Sequence, residues 1–299
     1  MTPNNKSSIG PLYALGAFLL WGLLPLYWKL LKAYPPYFIL MNRIVWSAVF
    51  LTAFTVLRGE WKGLSVQLKK SETWIWLLPS TLVIAANWGL YIWAVNSGYV
   101  LETSLGYFLN PLVNVFLGYL FLGERLRKWQ RVALFLVIVS VANSLCNYGR
   151  LPWIALFLAI SFGFYGLFKK KMKADALVCL TVETGLLLIP CGIVLVASPA
   201  WSLQPSFGMC LLLAGSGIVT ALPLYYFAQA AKHLNLSTLG VFQYLAPSIQ
   251  FLLAIFAFNE PLNLQLLLSF VLIWIALAIY AYDSLSLRKK NKRYSKSSD

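Results

Sequence analysis

Two ionisable side chains, Arg43 and Glu183, sit deep inside long apolar stretches of this 299-residue sequence. A charge at the centre of a bilayer costs about 2.5–3.5 kcal/mol on insertion scales, so it is normally paired or faces a cavity. Such a residue can form an ion pair, hold a charged solute or exchange a proton. Arg43 lies in the second apolar stretch and Glu183 in the seventh, at nearly the same depth. That placement predicts that they face one another or face a common cavity. Polar residues recur near them at helical spacing. Glu102, Gly106, Asn110 and Asn114 follow in steps of four, and Gly240, Gln243, Pro247, Gln250 and Ala254 share one helix face. Asn87 with Tyr91, and Tyr225 with Gln229, repeat the four-residue step. Trp21, Trp88, Trp93 and Tyr107 fall beside these stripes and suit an aromatic cavity wall, although Trp and Tyr also gather at membrane interfaces. Pro111 and Pro247 each remove a backbone donor, which predicts a helix break and a freed carbonyl. Any single Asn or Gln could equally be glue between helices. Taken together, the stripes predict a shared central pathway.

Other chemistry has little to work with. The one histidine, His233, falls in a short basic segment, and Cys146, Cys179, Cys191 and Cys210 are scattered without ligand spacing. No HExxH or Asp-rich motif and no phosphate-binding GxxxxGK[ST] loop occurs. The sequence therefore points to no metal, no cofactor, no catalytic residue and no ATP-driven pump. A carrier of a small organic solute is expected; a channel or a lipid-modifying enzyme stays as the alternative.

The elements that would position these residues follow from composition. Apolar and aromatic residues make up 60% of the chain and charged residues 11%, with a mean hydropathy of +0.73. A soluble domain carries about a quarter charged residues, so most of this surface must face lipid. A helix crossing the hydrocarbon core needs roughly 20 apolar residues. That length predicts spans at 11–31, 36–57, 74–95, 99–122, 129–148, 151–168, 177–197, 207–230, 237–258 and 262–282. The first of these lacks a small-residue cleavage site and is expected to be retained.

Loop charge orients them. With the N-terminus in the cytoplasm, the basic clusters at 58–70, 125–131, 169–173 and 288–296 all lie inside. Only Lys29, Lys32 and Arg150 lie outside, so the positive-inside rule predicts N-in and C-in. The formal charge of +15 then belongs to loops and a polybasic tail that favour anionic lipid head groups, and nucleic acid is not an expected partner.

The chain also repeats itself. LYIWAVNSGYVLETSLG at 90–106 is echoed by LYYFAQAAKHLNLSTLG at 224–240, and Pro111 to Glu124 has the spacing of Pro247 to Glu260. A weaker echo joins Trp21-Gly22 with Phe162-Gly163. A unit of five helices is odd, so the second copy enters the membrane from the opposite side. Inverted repeats of this kind are common in secondary transporters, whose substrate site lies near the midplane between the halves. The expected fold is therefore all-α and integral to the membrane, with ten transmembrane helices. Repeats at 9–148 and 151–282 are followed by a cytoplasmic tail at 283–299.

These motifs resemble the drug/metabolite transporter superfamily in its EamA branch. The Pro-x12-Glu-x-Leu segments at 111–126 and 247–262 are similar to the ends of EamA repeats. WGLLPLYWK (21–29), NRIVW (42–46), VET (182–184) and AAKHLNLSTLGVFQYLAP (231–247) are similar to its RarD-type members. The resemblance implies a bacterial cytoplasmic-membrane protein that exports small metabolites or drugs. On the physical reading Glu102 and Glu183 are candidates for a coupling proton, and Arg43 for contact with a carboxylate. Neither substrate nor oligomeric state follows from the sequence.

Overall fold

The computed structural model describes residues 3–146, 151–259 and 264–296. The helices are α1 (Pro3–Leu30), α2 (Pro36–Leu57), α3 (Trp61–Leu68), α4 (Ser71–Asn96), α5 (Val100–Leu122) and α6 (Lys128–Cys146). There follow α7 (Trp153–Lys171), α8 (Ala176–Val196), α9 (Phe207–His233), α10 (Leu236–Gln243), α11 (Leu245–Phe256) and α12 (Leu264–Lys296). Among the described residues, eight apolar segments are long enough to cross a membrane: α1, α2, α4, α5, α7, α8, α9 and the α10–α11 unit. Outer faces of the bundle carry large apolar side chains, such as Leu82 on α4, Phe135 on α6 and Ile189 on α8, at 67%, 64% and 71% exposure. In water such a surface would be unstable; in lipid it is solvated.

Local chemistry sets the ends. Pro36 opens α2, where its missing N–H costs nothing. Gly123 closes α5 in the left-handed region at φ 64°, its amide returning to the Gly118 carbonyl. Asp175 caps α8 by accepting from the Leu177 amide at 2.7 Å.

The structure departs from the sequence expectation in four places. The 58–72 connection contains α3, not an open loop. The Lys169–Lys171 segment, expected as a polar break, forms the last turn of α7. Pro111 removes one bond from α5 without breaking it, because α7 and α10 pack against that helix and hold it. At Pro247 the helix is interrupted as expected: α10 ends at Gln243, whose carbonyl Pro247 cannot bond, and the Tyr244 hydroxyl donates to the Phe108 carbonyl at 2.9 Å. Finally, α12 continues through the expected tail to Lys296, since neither Pro nor Gly interrupts residues 264–296. Arg150 and the Glu260-Pro261-Leu262 segment lie outside the described residues.

Helix pairing follows a pattern. α1 packs on α9 and α4 on α7; α5 packs on α7 and α11 on α1. The pairs α2–α8, α2–α9, α5–α10 and α6–α12 are also extensive. Several crossings require glycine, the tightest at Gly217 of α9, where a Cβ would lie 2.4 Å from the Trp46 backbone of α2. A Cβ on Gly22 would lie 2.7 Å from Ile249 Cβ, and one on Gly163 would lie 2.6 Å from Val113 Cγ1.

Candidate functional site

Short connections make successive long helices antiparallel, which gives the bundle two ends. Residues 31–35, 97–99 and 197–206 connect helices at one end, and 58–70, 123–127, 172–175 and 234–235 at the other. The second end carries most of the loop lysines and arginines. A cavity of about 250 Å³ runs from mid-bundle toward the first end. Trp21 and Trp28 of α1, Arg43 of α2, Asn87 and Tyr91 of α4, and Tyr107 and Asn110 of α5 contribute to its wall. Phe162 of α7, Thr220 of α9, Gln243 of α10 and Pro247 and Gln250 of α11 complete the opposite side. Tyr107 is 42% exposed, so the cavity communicates with the surface.

Each polar group is placed by backbone chemistry. Pro25 cannot bond the Trp21 carbonyl four residues before it, and Gln250 Nε2 donates to that oxygen at 3.1 Å. Asn87 Nδ2 ties α4 to α7 through the Leu158 carbonyl at 2.9 Å and Ser161 Oγ at 2.8 Å. Gln243 Oε1 accepts from Asn114 Nδ2 at 2.9 Å, just beneath the cavity. The Oδ1 atoms of Asn110 and Asn114 are buried with no hydrogen-bond partner among the described residues. Arg43 Nε donates to Thr220 Oγ1 at 2.8 Å, and its guanidinium lies 4.7 Å over the Trp28 ring. Among the described residues, no carboxylate lines the cavity and none pairs with Arg43.

The lysine-rich end is closed. Phe18, Trp21 and Phe162 floor the cavity and pack on Phe227, with ring centroids 5.2 to 6.2 Å apart. Tyr165 stacks beneath Phe227 at 6.0 Å, and Lys169 Nζ lies 5.0 Å from the Tyr165 ring. Lys169 then pairs with Glu183 at 2.6 Å, and Ser80 Oγ donates to the other carboxylate oxygen at 2.7 Å. All three are buried. Further out, Lys170 donates to the Leu234 carbonyl and Lys232 to the Ala174 carbonyl. Glu124 caps α10, accepting from Leu236 N at 2.7 Å, Ser237 N at 2.9 Å and Ser237 Oγ at 2.7 Å.

The sequence-predicted residues thus divide. Trp21, Arg43, Asn87, Tyr91, Tyr107, Asn110, Gln243, Pro247 and Gln250 are brought together on one cavity. Asn114 reaches it only through Gln243. Arg43 and Glu183 do not pair, because Lys169 of α7 takes the carboxylate. Glu102 is buried and accepts from the Ile154 amide at 3.1 Å, so its carboxylate caps α7 away from the cavity. Pro111 sits within α5 outside the lining. Trp93 is 48% exposed and stacks on Tyr99 at 5.7 Å. Tyr225 and Gln229 hydrogen-bond each other at 3.1 Å, again off the cavity. Thr220, Trp28 and Phe162 were missed. Trp28 and Phe162 carried a signal, since the first is one turn beyond Trp21–Leu24 and the second is the repeat partner of Trp21.

Comparison with known proteins places this chain among membrane transporters. Residues 8–145 match the EamA-like transporter family. Protein RarD of Salmonella typhi is 42% identical over 94% of this chain and 97% of its own length. A protein of Bacillus subtilis described as a transporter is 41% identical over 95% and 97%. A solved crystal structure superposes with a TM-score of 0.73 at 23% identity, covering 91% of this chain and 97% of the other.

Proposed function

The chain belongs to the EamA-like transporter family, in its RarD-type branch, and from that premise we propose that it carries a small organic solute by alternating access. It is a multi-pass membrane transporter of the drug/metabolite type. The observation that carries the mechanism is a cavity that ends on an aromatic floor above a buried ion pair. An empty pore would cross both ends; a cavity closed at one end suits a carrier caught in one of two states.

Ten spans in two inverted five-helix repeats, 9–148 and 151–282, are the frame for that motion. The pairing pattern supports it: exchanging each helix for its counterpart in the other half turns α1–α9 into α7–α4, and α5–α7 into α11–α1. Gly22 against Ile249 and Gly163 against Val113 are likewise counterparts by the sequence repeat. Rocking one half on the other would open the floor and close the outer cavity. We place the N- and C-termini in the cytoplasm, so the closed end faces inward and the solute moves outward across a bacterial inner membrane. Glu183, held by Lys169 and Ser80 at the closed end, is the candidate for proton coupling; Glu102 is occupied as a helix cap.

Comparing metabolites inside cells and in the medium, between deletion and overexpression strains, tests the direction. Export predicts a solute that accumulates inside the deletion strain and outside the overexpressing one. The opposite distribution would reverse the proposed direction, and no difference for any solute would count against transport.

A further inference from the structure

The cavity holds one cation and no anion. Arg43 is half-buried inside the bundle, where a guanidinium stays charged and an uncompensated charge is costly. Among the described residues its one hydrogen bond runs from Nε to Thr220, a neutral hydroxyl, and its one ring contact is Trp28. The terminal nitrogens of the guanidinium fork have no hydrogen-bond partner among the described residues, and the neighbouring Tyr91 and Tyr107 phenols are neutral. No anionic group among the described residues balances the charge at the place where a solute would sit.

We infer that the solute is a monoanionic carboxylate on a planar, ring-bearing body, its carboxylate paired with Arg43. The inference rests on the proposal that this cavity is the substrate path. A carboxylate matches the fork geometry and can accept two parallel N–H bonds. One arginine neutralises one negative charge, which favours a carboxylate over a phosphate dianion. A zwitterionic amino acid fits less well: its ammonium lies beside its carboxylate, hence beside the guanidinium, and no acidic residue offsets that repulsion. Much of the remaining wall is aromatic, with Trp21, Trp88 and Phe162 among its lining residues, and aromatic rings pack favourably on a ring. A volume of about 250 Å³ lies just below the roughly 300–1,000 Å³ of drug-sized pockets, so one ring suffices.

The test uses the full-length protein in nanodiscs and three probes of one shape: 3-(4-hydroxyphenyl)propanoate, its primary amide and tyrosine. Binding is read by calorimetry and by quenching of the cavity tryptophans. The acid is expected to bind at least ten-fold tighter than either the amide or tyrosine. Arg43→Gln should weaken the acid about ten- to a hundred-fold and leave the amide unchanged, as loss of a charge-assisted bond implies. Arg43→Lys should fall between. If Arg43→Gln does not fold, the ranking of the three probes on the unaltered protein decides. Equal binding of acid and amide, or tighter binding of tyrosine, overturns the inference while saturable binding upholds the cavity as a solute site. No binding of the acid at millimolar concentration also overturns the inference. Access of a membrane-impermeant reagent to a thiol at position 110 then judges the path separately.

Discussion

Two cations inside the bundle, Lys169 and Arg43, live in opposite circumstances. Lys169 is paired with Glu183 and sealed beneath an aromatic floor; Arg43 faces a cavity, and its neighbours among the described residues are neutral: a threonine hydroxyl, an indole ring and two phenols. A charge that the fold has already neutralised contributes to holding one end shut. A charge that the fold leaves open is available to something that enters. The difference separates a structural role from a binding role for residues that look alike in the sequence.

The comparison is most easily broken at the sealed end. Glu183→Gln strands Lys169, and removing one partner of a buried pair costs about 3–5 kcal/mol. A large drop in thermal unfolding temperature in detergent is expected, with much of it recovered when Lys169→Met is added. Unchanged stability would mean that the pair is no latch; altered transport beside it would leave Glu183 the proton-coupling role alone. Arg43→Gln should behave in the opposite way: transport of a carboxylate solute falls at least ten-fold while the unfolding temperature moves little, because the lost neutral-acceptor bond and ring contact are offset by removal of an uncompensated charge. A collapse in stability there would make Arg43 structural. Next, Gly22→Ala and Gly163→Ala should each cost about 1–3 kcal/mol by overpacking, and by similar amounts. Strongly unequal costs would argue against equivalent halves. The smallest effect is expected at Gln250. Gln250→Leu removes the donor to the Trp21 carbonyl that Pro25 leaves free, for about 1 kcal/mol in the same unfolding assay.

Much of this was legible before any coordinates. Hydropathy located the long helices, and the period-four stripes collected Asn87, Tyr91, Asn110, Gln243 and Gln250 on one cavity, because a helix face is a local property. What failed was partnership between distant segments. Glu102 looks like a pathway acid, but its carboxylate meets the first turn of α7, a contact 52 positions away. Lys169 looks like a loop cation, yet α7 is long enough to carry it inward to Glu183. Tyr225 and Gln229 have the right spacing but satisfy each other. Thr220 gave no sign at all, since a lone threonine in an apolar helix usually bonds its own backbone.

The central claim, a path that opens alternately to the two sides, is tested most directly by thiol access. In a background lacking Cys146, Cys179, Cys191 and Cys210, Asn110→Cys places one thiol in the cavity wall. A membrane-impermeant thiol reagent is then applied to the outer face of intact cells and, separately, to inverted vesicles. Alternating access predicts reaction from the outer face and a slower, measurable reaction from the cytoplasmic face. A thiol that reacts from one face only, under every condition, or from neither, would contradict it.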